Sequence, residues 1–64
     1  MTAVNPTATK EGDVRIGDQL VHGEAVHVVY DIIATNWRTI FVLDREGGPM
    51  LEVTKGEAVQ LLAL

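Results

Sequence analysis

Along most of this chain the hydrophobic and polar positions alternate with a period of two, the spacing of half-buried strands rather than of helices. The clearest case is Ala25–Thr35, where Val26, Val28, Tyr30 and Ile32 fall on one face and Ala25, His27, Val29, Asp31 and Ile33 on the other. β-Branched and aromatic residues dominate it, which suits a pleated surface and would cost side-chain freedom in a helix. An earlier strand is predicted over Val14–Val21, with Ile16 and Leu20 as core anchors and Gly17-Asp18 as a bend. His22-Gly23-Glu24 is the turn between these two strands.

Downstream, Asn36-Trp37 reads as a tight hairpin, with Asn36 suited to the left-handed conformation, leading into a strand over Arg38–Leu43. Asp44–Pro49 is a turn, in which paired glycines supply positive backbone angles and Pro49 opens an edge strand. Met50–Thr54 forms the next strand, with Leu51 and Val53 inward. Thr54-Lys55-Gly56-Glu57 matches a capping box. Ala58–Leu64 is open between a helix, on propensity, and a strand, on the alternation of Val59, Leu61 and Ala63. The expectation is one helical turn near Lys55–Ala58 and then a short last strand, because a strand there covers a sheet edge. Met1–Gly12 shows no sustained apolar period and is expected to be a flexible, disordered tail; residues 13–64 form the domain.

Five short strands with a helical turn before the last resemble the order of SH3-like barrels. The stretch Ile16-Gly17-Asp18-Gln19-Leu20-Val21-His22-Gly23-Glu24-Ala25-Val26 is similar to the entry of bacterial SH3-like and KOW-type modules. The resemblance implies an all-β, five-stranded SH3-like barrel and leaves function open. Signalling SH3 domains carry an aromatic-rich groove, whereas this chain has only Tyr30, Trp37 and Phe41; KOW barrels bring basic loops to RNA.

Composition narrows the function. The net charge of −4, from nine acids and five bases, argues against binding nucleic acid or an anionic membrane surface. No apolar run nears the roughly 20 residues that span a bilayer, and the polar N-terminus lacks the apolar core of a signal peptide, so a cytoplasmic protein is expected. With no cysteine, thiolate-held zinc and disulfides are excluded.

Candidate chemistry is sparse. His22 and His27 are five apart, which in a strand sends them to opposite faces, so no metal site is expected. The acids are scattered over predicted turns and outward positions, and Gly47-Gly48 lacks the helix and lysine of a phosphate loop. The expectation is therefore no enzyme, no catalytic residue and no cofactor. The apolar excess instead points to association: a protein-interaction module that contacts a protein partner or forms a homo-oligomer. Trp37 and Arg38, residue types enriched at binding hot spots, with the outward-reading His27, Val29 and Asp31, make up the predicted contact surface. The alternatives are a nucleic-acid-associated KOW-like module and an acidic regulator that mimics nucleic acid.

Overall fold

A computed structural model describes residues 6–62. The protein is all-β: β1 (Pro6–Lys10), β2 (Gln19–His22), β3 (Ala25–Ala34), β4 (Arg38–Leu43), β5 (Met50–Thr54) and β6 (Ala58–Leu62), with one 3-10 turn over Glu11–Asp13. The six strands form one antiparallel sheet in the order β1-β6-β2-β3-β4-β5. β3, the longest strand, belongs to both halves, pairing with β2 through its first residues and with β4 through its last.

The core lies between the two halves. Val14, Leu20, Val29, Phe41, Leu43, Val53 and Val59 are buried in a single cluster, with Ile32, Leu51 and Leu61 packed against it. Leu20, Val29 and Phe41 are wholly enclosed, each from a different strand. Burying a side chain of this size stabilises by about 1.5–3 kcal/mol, so a few positions carry most of the stability of so short a chain.

The strands over Arg38–Leu43 and Met50–Thr54 match the predicted bounds. The open question at the C-terminus is answered by a turn, with Gly56 at φ 85°, followed by strand β6. No helical turn forms there. Its inward residues, Val59 and Leu61, are two of the three the alternation selected; the third, Ala63, lies outside the described residues.

Three expectations are corrected. The first concerns the tail. Pro6–Lys10 forms a strand paired along its length with β6, and Glu11–Asp13 forms the 3-10 turn, so only Met1–Asn5 of the expected tail lie outside the described residues. The described strands are accordingly six, not five. The second concerns Ile16, which is exposed while Val14 takes the core position. The chain turns at Ile16-Gly17, with Gly17 at φ 96°, so period-two counting from Leu20 back to Ile16 fails there. The third concerns β3. A bulge between Val29 and Asp31 shifts its pairing with β4 by one residue. Val29 faces the core before the bulge and Ile32 after it, so the two faces assigned by strict alternation exchange midway. Asn36 also keeps a negative φ, since Asp44 is the sole non-glycine residue with positive φ among the described residues.

Candidate functional site

The bulge has a direct effect on the surface. Val26 and Val28 point away from the core before it, Ile33 does so after it, and Tyr30, the extra residue, is exposed with them. Each is between 44% and 50% exposed, forming an apolar stripe along the outer side of β3. Strand pairing widens the stripe. Val28 stands in a row with Gln19, Leu62 and Pro6, and Val26 in a row with Val21, Gln60 and Ala8. These two rows cross β3, β2, β6 and β1 without an ionisable side chain. On the other flank, Asp31 lies opposite Val42 and Met50, and Ile33 opposite Ile40 and Glu52.

The predicted contact residues divide. Trp37, at 78%, is the most exposed of the large hydrophobic residues, at the turn between β3 and β4. Its backbone is fixed: Thr35 Oγ1 accepts hydrogen bonds from the Trp37 and Arg38 N–H groups at 3.3 and 3.0 Å, and the Trp37 carbonyl accepts from Lys55 N–H at 3.1 Å. A rigid tip thus holds the indole in solvent. Arg38 is exposed and ion-paired with Glu52 on the next strand. Asp31 is exposed, and its carboxylate accepts the Ile32 N–H at 2.8 Å beside the bulge.

Two residues are not where the sequence put them. Val29 is fully buried, so it cannot be part of a contact surface; the bulge that misled the counting is the reason. His27 is half-buried and turned to Asp44, its Nδ1 lying 2.8 Å from Asp44 Oδ2. Asp44 binds β3 by three routes. Its other carboxylate oxygen accepts the Val28 N–H at 3.2 Å, and its own N–H donates to the Val28 carbonyl at 2.7 Å. This clamp holds the β4–β5 turn against β3. The hydrogen bond from His27 is the main cause holding the Asp44 carboxyl below its ordinary range.

A second carboxylate, Glu11, is also committed to structure. It is buried, and its oxygens accept from Thr39 Oγ1 at 2.6 Å and from the Gly56 N–H at 3.0 Å, which lowers its pKa. Sequence counting missed it because Glu11 lay in the segment read as tail.

Grooves also open on the surface of the described residues. One, of about 400 Å³, runs between Thr7 and Thr9 of β1, Leu61 of β6 and the Gly17-Asp18 turn. Another, of about 210 Å³, opens between β2, β5 and β6. Among the described residues no three His, Asp or Glu side chains converge to hold a metal ion. No helix of the described residues is long and apolar enough to cross a membrane. Comparison with protein-family models, curated proteins and solved structures finds no match.

Proposed function

We propose that this chain is a small non-enzymatic protein-interaction module in a cytoplasmic setting, and that it acts through the outer face of β3. The observation that carries the reading is the exposure of Val26, Val28, Tyr30 and Ile33 along one strand, with Asp31 as the one charge among them. A monomer has little reason to keep four large apolar side chains in line on its surface, whereas an interface does. Trp37 stands at one end of the same strand as an aromatic anchor on a rigid turn.

The strand order β6-β2-β3-β4-β5, with a short turn leading into β6, supports reading the domain as an SH3-like barrel to which β1 is added. The acids favour protein contact over mimicry of nucleic acid. Asp18, Glu24 and Glu57 sit in three different turns and Asp44 and Glu46 share a fourth, rather than lying in a row along one face.

The test is site-specific photocrosslinking in the producing cells, with the reactive residue placed at Val28 or, as a control, at Glu46 in the β4–β5 turn. The reading expects discrete adducts from position 28 that position 46 does not give. Identical or empty patterns from both positions would remove this face from consideration.

A further inference from the structure

Resting on that reading, we infer that the occupant of the Val26 and Val28 end of the face is a second copy of this chain, in a two-fold dimer that stacks the β1-β6-β2-β3 halves back to back. The first argument is the distribution of charge. The outer side of the β1-β6-β2-β3 half carries a single charged side chain, Lys10 at its edge, while Arg38, Asp31 and Glu52 lie on the β4-β5 side and cancel to within one charge. The acids behind the net charge of −4 therefore lie outside its two apolar rows, with Glu24 alone at the border of this half. Two copies repel each other in most approaches and least in this one.

The second argument is position. Lys10 lies on β1 two residues beyond Ala8, and Glu24 lies in the β2–β3 turn two residues beyond Val26; Ala8 and Val26 are the ends of one row. Lys10 and Glu24 thus stand at the same end of the face, on opposite flanks. A two-fold axis parallel to the strands, passing between β6 and β2, lays β1 of one copy over β3 of the other. It brings Lys10 of each copy over Glu24 of its mate, so one contact is made twice, as an isologous interface requires. Packed sheets sit about 10 Å apart, within reach of these two long side chains.

Size sets the strength. Four strands about 4.8 Å apart and about five residues long make a patch of about 19 by 17 Å. That is a few hundred Å², below the roughly 800 Å² per partner of a standard interface. The dimer is therefore weak, reversible and concentration-dependent.

The experiment is sedimentation equilibrium of the purified chain at low salt, from about 10 μM to about 1 mM, a range that spans weak association. The wild type should pass from monomer to dimer and go no further. Val28→Lys should raise the dissociation constant at least tenfold while its circular dichroism and melting temperature stay near wild type; Val26→Lys serves as a second variant should the first lose its fold. Lys10→Glu and Glu24→Lys should each weaken the dimer about threefold, as exposed pairs made twice allow. The double exchange should restore it. A wild type monomeric throughout, or a dimer indifferent to both lysine variants, overturns the inference. Failure of the double exchange to restore association overturns the two-fold arrangement. Heterologous adducts from position 28 in cells, with no dimer in the centrifuge, would reject the second copy and leave the interaction reading standing.

Discussion

The Glu11 carboxylate and the Thr39 hydroxyl, 28 residues apart, meet at 2.6 Å in the interior. With the Gly56 N–H on its other oxygen, Glu11 fastens the 3-10 turn to β4 and to the β5–β6 turn. Its backbone N–H adds a third tie, to the Glu57 carbonyl at 2.9 Å. Glu11→Ala should therefore leave the buried Thr39 hydroxyl and the part-buried Gly56 N–H without their acceptor and lower the melting temperature by several degrees. Thr39→Val should lower it less, because the Gly56 contact survives. Thermal denaturation of the two variants checks the order.

Acid should weaken the fold through the same group. Glu11 and Asp44 titrate below their ordinary values of 4.5 and 3.8. A carboxyl depressed by folding contributes its full stabilisation above the unfolded-state pKa and loses it as pH falls through the folded-state value. The melting temperature should be level above about pH 5 and drop progressively below pH 4.5. Glu11→Gln should flatten that drop while lowering the plateau.

Removing β1 should be costly. Deleting residues 1–10 strips five paired positions from β6 and leaves the Glu11 anchor without its lead-in. A fall in melting temperature of roughly 10 °C or more is expected, since one kcal/mol corresponds to about 4–8 °C in a domain this small.

Gly48 should tolerate no side chain. A Cβ built there would lie 2.1 Å from the Leu43 carbonyl oxygen and 2.8 Å from that of Arg45, both backbone atoms. Gly48→Ala should open the turn and cost several kcal/mol, about what overpacking a close contact costs. At Gly12 a Cβ meets nothing within 4 Å, so Gly12→Ala should be near neutral. Chemical denaturation of both gives the comparison.

Neighbouring valines should behave oppositely. Val29→Lys places an unpaired charge in a fully enclosed site and should abolish the folded state. Val28→Lys, one residue earlier and 45% exposed, should fold. Circular dichroism separates them at once.

These cases show what could be read from the residues. The strands were legible where alternation is unbroken and turns are marked by glycine: β4, β5 and the inward residues of β6 were visible in the pattern. β1 was not, because its burial pattern is nearly all exposed and its strand state comes from pairing with β6, a contact local composition does not encode. The reason for Gly48 was hidden too, since a steric limit set by the Leu43 carbonyl looks in sequence like a demand for positive φ, which Gly47 meets and Gly48 does not. At the candidate site, a tip tryptophan can either fold back over the barrel end or stand out, and residue type does not choose; the polar turn holds Trp37 and Arg38 out. Val29 was misplaced because one bulged residue reverses every face beyond it.

The pairing of β1 with β6 sets an order of events during synthesis. Pro6 lies opposite Leu62, so β1 leaves the ribosome well before its partner, which lies near the far end of the described chain. While the intervening residues emerge, at roughly 5–20 per second, β1 has nothing to bind and Glu11 has neither Thr39 nor Gly56 to accept from. Structure that depends on these closures cannot accumulate stepwise from the N-terminus. The domain should instead form in one late, cooperative event once β6 is clear of the exit tunnel, with a folding rate in the slower range of all-β topologies.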